Sequence, residues 1–414
     1  MKLSKNSNLL MSFFVNHGFI NHTPLNKSSY KIIIQLYNDI LNSHKYLKEL
    51  KKTIYYTTNI SKINYVYQIP KPRTFNLKSF PTEVIKRIDD LSSYYVEYNF
   101  SLFNRDITIF FISEKKNIDL QLVAFNKYID AIIMWLYILN IYSTSKCSKK
   151  FTTYFYFTSL EKRIPSSNIY TLNEYHVNTA FTRTCQSDSE IVVFRKEEWF
   201  KVFIHETFHN FALDFSGIDS NYCDNFILKL FPVNSEVNLY EAYSESWAEI
   251  LNAMFCSFII LKNKTNFNDF LSNFDKFINF ERTYSFFQLV KTLNFMGLTY
   301  KDLYSKNSKS KLLRDTFYKE ETNVLSYYII KTILMNDYQL FMSWCNSNNI
   351  SLLHFNNIPK NKINFCKLIE RNYKTSSMLN GVNIAEQFIS YLKINNVENT
   401  YIMNNLRMTI CELN

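Results

Sequence analysis

Lys201-Val202-Phe203-Ile204-His205-Glu206-Thr207-Phe208-His209-Asn210-Phe211-Ala212-Leu213 is the stretch on which the reading of this chain turns. Apolar residues surround two histidines four positions apart. The segment therefore reads as a partly buried helix, and at about 3.6 residues per turn both imidazoles lie on one face. Imidazoles stacked in this way can converge on one tetrahedral metal, which is what H-E-x-x-H spacing does with zinc. Glu206 then stands just outside the coordination sphere, where a carboxylate can take a proton from water at the metal. The competing reading is a surface helix with two unrelated histidines. The apolar flanks weigh against it, because buried histidines need partners and a metal supplies them.

Working outward, Arg195-Lys196-Glu197-Glu198 opens the helix and Gly217 marks its expected end. Upstream, Tyr94–Phe103 and Ile107–Ile112 read as strands joined by a turn at Asn104-Arg105-Asp106. Leu120–Tyr142 reads as a helix, and Phe151–Phe157, His176–Thr182 and Ile191–Phe194 as strands. Lys31–Leu50 and Thr82–Leu91 have helical spacing around the Pro70-Lys71-Pro72 break. Downstream, Val237–Lys262, Tyr284–Asn294, Val324–Leu334 and Ile384–Ile394 read as helices. The pattern predicts an α+β chain with an N-terminal helical region over 1–91, a mixed sheet-and-helix lobe over 92–217 and a helical lobe over 218–414.

With 414 residues, 47% hydrophobic and 17% aromatic, the chain is globular rather than disordered. The formal charge of +11 is spread along the sequence, with short clusters at Lys48-Lys51-Lys52, Lys146-Lys149-Lys150 and Lys306-Lys309-Lys311. Abundant Asn, Lys, Ile, Tyr and Phe are what AT-rich codons give, so the charge predicts no specific nucleic-acid partner. Cys147, Cys185, Cys223, Cys256, Cys345, Cys366 and Cys411 are odd in number and form no C-x-x-C, which predicts free thiols in a reducing, cytoplasmic setting. Leu9–Val15 is too short for a secretion signal. Ala131–Tyr142 falls short of the roughly 20 residues that cross a bilayer and reads as a core helix, so no membrane is expected.

Zinc catalysis needs a third protein ligand and one open position. Ala212 and Phe215 stand where the H-E-x-x-H-x-x-G-x-x-H pattern has its glycine and last histidine, so the third donor lies elsewhere. Glu241-Ala242-Tyr243-Ser244-Glu245-Ser246-Trp247-Ala248-Glu249 places three carboxylates on one face of a long helix. Here the chain resembles the gluzincin metallopeptidases, the thermolysin-like clan, whose corresponding segment reads like Asn-Glu-Ala-x-Ser-Asp. The resemblance implies a zincin-like two-lobed fold, Zn2+ held by His205, His209 and Glu241, and Glu245 as the carboxylate that orients a histidine through its other ring nitrogen. The reverse assignment, with Glu245 on the metal, stays open. Glu249 reads as an exposed helix charge.

His176-Val177-Asn178-Thr179-Ala180-Phe181 looks like the Asn-Ala-Phe edge strand that in this clan pairs with substrate backbone, with Ile191–Phe194 as its hairpin partner. By that resemblance Asn178 and Ala180 bind substrate and the substrate is a peptide or protein. The composition and the Arg195–Phe200 lead-in are similar to those of uncharacterised zinc peptidases of large DNA viruses, which would place the chain in or near a virion. The resemblance spans about residues 150–250. It implies an endopeptidase with Glu206 as general base. A tyrosine or histidine should stabilise the oxyanion, for which Tyr327, Tyr328 and His354 are the candidates. A catalytically inactive zincin-fold structural or interaction protein is the alternative.

Overall fold

The computed structural model describes residues 1–75, 80–217, 221–396 and 400–414 and shows an α+β fold on one mixed open sheet. Helices α1 (Lys5–Asn16) and α2 (Lys27–Leu50) open the chain, followed by strand β1 (Thr57–Lys62) and helix α3 (Thr82–Leu91). The region expected to be helical thus also donates a strand, which pairs antiparallel with β2 (Tyr94–Leu102). Strand β3 (Arg105–Ser113) completes a hairpin with β2 in which Leu102 faces Arg105. Its turn is Phe103-Asn104, both with positive φ (54° and 58°), and not the Asn104–Asp106 segment expected. Two positive-φ central residues match the right-handed strand twist, which is why so short a loop suffices.

Helix α4 (Asp119–Tyr142) crosses from β3 to the parallel strand β4 (Lys150–Phe157). It is longer than the apolar run read from sequence, and by length and composition it could span a bilayer; 61% of its most apolar window is buried. It belongs to the core, where Phe125 stacks on Phe111 and Tyr128 packs on Trp199. A helical turn, α5 (Glu174–Val177), capped by Asn173, replaces the first half of the expected His176–Thr182 strand. What remains is β5 (Ala180–Thr182), the edge strand opposite β1, antiparallel to β6 (Asp188–Val193), which is itself parallel to β4.

The period of two along these strands lets both faces be covered. Phe111, Phe155 and Val193 face the large core with α4, while Ile112, Tyr154, Tyr156 and Val192 face Val84 and Ile88 of α3. That large core continues without a break into the helices that follow the sheet.

Cys147 and Cys185 form a disulfide, which corrects the expectation of seven free thiols. The sheet explains it. Lys150 and Asp188 pair across the parallel strands β4 and β6, and each cysteine lies three residues before one of them.

The motif helix, α6 (Trp199–Asn210), is buried at all twelve positions and ends earlier than Gly217. Ala212 adopts a left-handed φ of 53°, while Leu213 N–H bonds back to Phe208 C=O and Ala212 N–H to His209 C=O. This is the reversal that stops a helix, made here without glycine. Beyond it lie α7 (Asn221–Leu230), α8 (Leu239–Ile259) and α9 (Phe267–Met296), which starts well before the expected Tyr284. A π-helical turn, Leu325–Ile330, runs into the helix Lys331–Asn336, and Ser376–Ile394 forms a longer helix than the segment predicted from Ile384.

Candidate metal centre

Helices α6 and α8 pack face to face, and their polar residues meet in rungs. On α6, Lys201, His205 and His209 recur every four residues; on α8, Glu241, Glu245 and Glu249 do the same. His209 meets Glu241, His205 reaches both Glu241 and Glu245, and Lys201 donates to Glu245 Oε1 at 2.6 Å, so the helices run antiparallel. The third rung is closed from another element, by Lys331 on Glu249 Oε1 at 2.7 Å. Glu249 is fully buried, which corrects the expectation of an exposed charge. Sequence showed its face but not that a lysine from a distant helix would cover it.

Three donor atoms converge where the first two rungs meet. His205 Nε2 lies 3.0 Å from Glu241 Oε2 and 3.1 Å from His209 Nε2, and His209 Nε2 lies 3.4 Å from the same carboxylate oxygen. Each histidine turns its other nitrogen to a carboxylate. His209 Nδ1 bonds Asp214 Oδ2, and His205 Nδ1 is 3.0 Å from Glu245 Oε2, though out of line for a hydrogen bond. Asp214 was not foreseen. The reversal at Ala212 swings it back onto the helix end, where Ser216 and Ser244 also donate to it. A lone acid in the apolar run Ala212–Phe215 was the only signal for it in the sequence.

This donor set fits zinc. With its Nδ1–H given to Asp214, His209 presents a lone pair at Nε2 towards the His205 nitrogen and the Glu241 oxygen. A single proton can bridge only one pair among these three atoms, whereas a cation serves all of them. Two imidazoles and one carboxylate, each imidazole backed by a further carboxylate, are the ligands and supports that such an ion takes in catalytic sites. Burial opposes charge on both imidazoles, yet the carboxylates override it: Asp214 and Glu241 push His209 well up, and Glu241 and Glu245 raise His205. Burial also works against the charged form of Glu241, but His209 and His205 hold it well below the usual range. Glu206 is pushed up, chiefly by burial.

Glu206, His205, Asn178, Ala180, Lys201, Tyr327 and Met408 line one small cavity of about 30 Å3, enough for a water molecule or two. Of the three oxyanion candidates, only Tyr327 is here, its hydroxyl donating to Glu241 Oε2 at 2.9 Å. Tyr328 points away and donates to Leu406 C=O. His354 sits half-buried in the turn after Ser351, against the Tyr142 carbonyl, and joins neither the donor trio nor the cavity.

The edge strand is reached in part. Thr179 C=O accepts from Phe194 N–H, so by the alternation of antiparallel pairing the backbone groups of Ala180 point away from β6. Asn178 is already engaged, its carbonyl by Arg195 Nε at 3.1 Å and its side-chain oxygen by Thr322 at 3.0 Å. The strap 318–324 that carries Thr322 is further tied where Glu321 N–H bonds Leu172 C=O. In comparisons with family models, curated proteins and solved structures, nothing matches this chain.

Proposed function

We propose that this chain is a zinc-dependent peptide hydrolase with a zincin-like, two-lobed build, probed best as an endopeptidase. The observation that carries the reading is the convergence of His205 Nε2, His209 Nε2 and Glu241 Oε2 within 3.0–3.4 Å, with Glu206 in the adjoining cavity. His205, His209 and Glu241 would hold the ion, and Glu245 and Asp214 would orient the two imidazoles. Zinc, when bound, supplies a Lewis acid for the scissile carbonyl and a water acidified to about pKa 7. Glu206 takes the proton of the attacking water and delivers it to the leaving amine; burial, by raising its proton affinity, suits it to both transfers. Tyr327 brings a hydroxyl, held protonated by burial and the nearby carboxylates, to the side where the oxyanion develops. The outward backbone groups of Ala180 offer a strand edge to an extended peptide.

A second reading has an observation of its own. A cavity of about 30 Å3 is far below the roughly 300 Å3 or more of a ligand site, as expected of a non-enzymatic structural or interaction protein that uses the metal only to hold α6 on α8. One experiment separates the two. Metal content and hydrolysis of a quenched peptide library are measured on wild type, His209→Ala and Glu206→Gln. Zinc near one per chain with hydrolysis lost in Glu206→Gln supports the enzyme. Zinc without hydrolysis in any variant supports the scaffold, and no zinc in metal-replete wild type overturns both.

A further inference from the structure

Five cysteines are thiols in this structure, and four of them lie as two neighbouring pairs. Cys256 follows Asn252 by four residues, so the two share one face of α8. Asn252 Nδ2 donates to the Cys411 carbonyl at 2.7 Å, and the Cys411 N–H is held by Glu281 Oε1 at 2.9 Å. Residue 411 is thereby pinned over Cys256, and the two thiols are close neighbours. On the other side of the helical region, α7 packs on the helix Pro359–Asn372, and there the thiols of Cys223 and Cys366 are close neighbours. Both pairs are buried. Cys345 has no thiol partner; Tyr243, Trp247 and Asn349 surround it.

We propose that Cys256–Cys411 and Cys223–Cys366 are two further disulfide-forming pairs, which with Cys147–Cys185 give the chain a three-crosslink oxidised form. Neighbouring thiols are what disulfide closure requires, because the backbone then need not move far. The oxidant is a small-molecule disulfide such as oxidised glutathione. One cysteine thiolate attacks it and releases a glutathione thiol; the partner thiolate then displaces the second glutathione and closes the S–S bond. Two protein thiols lose two protons and two electrons, and one glutathione disulfide becomes two thiols. The first crosslink would tie the C-terminal segment, whose Met408 walls the cavity beside Glu206, to the helix that carries Glu241 and Glu245. The second would tie the segment following Asp214 to the helix Pro359–Asn372.

The test uses the full chain equilibrated with oxidised glutathione in urea just below the unfolding transition, where buried thiols open often enough to exchange. Free thiols are alkylated, and the unreduced digest is mapped by mass spectrometry. Alkylation is expected to fall from the five thiols of the structure to Cys345 alone, with 256–411 and 223–366 linked peptides appearing. In Cys411→Ser, Cys256 should return as a thiol or a glutathione mixed disulfide, in no link to another cysteine, while Cys223–Cys366 still forms. The proposal is overturned if these four cysteines are recovered alkylated or glutathione-capped from chains whose 147–185 link is intact, or if they are linked in any other combination.

Discussion

Zinc affinity should respond more strongly to Asp214 than to Glu245, although only Glu245 is visible as a partner in the sequence. Asp214 Oδ2 bonds His209 Nδ1 directly and is itself fixed by Ser244 at 3.2 Å and, through Oδ1, by Ser216 at 2.8 Å. Glu245 approaches His205 Nδ1 out of line and spends its other oxygen on Lys201. A charge-assisted hydrogen bond contributes about 1.5–3 kcal/mol and a neutral one about 0.5–1.5. Asp214→Asn keeps an acceptor and loses the charge, so about 1 kcal/mol is removed, roughly fivefold in affinity. Asp214→Ala removes the acceptor as well and leaves the buried Ser244 hydroxyl unpaired; the loss should approach roughly 100-fold, the upper range for partners of metal-bound histidines. Glu245→Ala should fall nearer the lower end of that range, roughly tenfold. Competition against a chromophoric chelator at neutral pH measures each constant, with circular dichroism to confirm that the variants are folded. Zinc affinity in Asp214→Ala within twofold of wild type would refute the role given to this carboxylate, and an effect larger in Glu245→Ala than in Asp214→Ala would refute the geometric argument.

Glu206→Gln should bind zinc as wild type does and lose roughly 10²–10⁴-fold in hydrolysis, read from single-turnover peptide cleavage. Lys201→Met strands the buried Glu245 charge and should cost about 3–5 kcal/mol of stability, seen as a lower urea midpoint; an unchanged midpoint would contradict the pairing. Ala212→Gly relieves a left-handed conformation that costs an L-residue about 1 kcal/mol, so its melting temperature should rise or hold, whereas Ala212→Val should lower it. Glu320, in the strap that Thr322 ties to Asn178, is pushed up to about 7, chiefly by burial. A carboxyl whose proton affinity is higher in the folded state loses stability as pH rises from its unfolded value to its folded one. Glu320→Gln should therefore match wild type below about pH 4.5 and become more stable than it towards pH 7, by about 3 kcal/mol. Parallel denaturation curves at all pH values would contradict this.

The sequence disclosed those parts of the site that lie on one helix face. His205 and His209, and likewise Glu241, Glu245 and Glu249, are related by a four-residue step, and that period survives into the structure unchanged. Residues brought in by chain reversal were not legible: Asp214 depends on a positive φ at an alanine, and nothing in a sequence announces that Ala212 will take the place of glycine. Pairings between distant elements were equally hidden. Lys331 on Glu249 and the Cys147–Cys185 link follow from packing and strand register, not from any local pattern. Strands rich in aromatic and β-branched residues were recognised, while β1, with Thr, Asn and Ser exposed along most of its length, gave no alternation to read. Tyr327 could not be separated from Tyr328 by spacing alone, since adjacent residues on a helical turn point about 100° apart and only one faces the cavity.

Both α6 and α8 are buried along almost their entire lengths, and their apolar contacts, being non-directional, do little by themselves to stop one sliding along the other. The rungs between them prevent it. A shift of one turn in either direction would still align histidines or lysine with glutamates at some positions, but it would push one carboxylate past the end of the ladder into a dry interior without a cation. The polar residues thus act as an axial gauge between two otherwise featureless cylinders. Because the donor atoms sit on the rungs themselves, the correct alignment of the helices and the assembly of the proposed metal site are one and the same event.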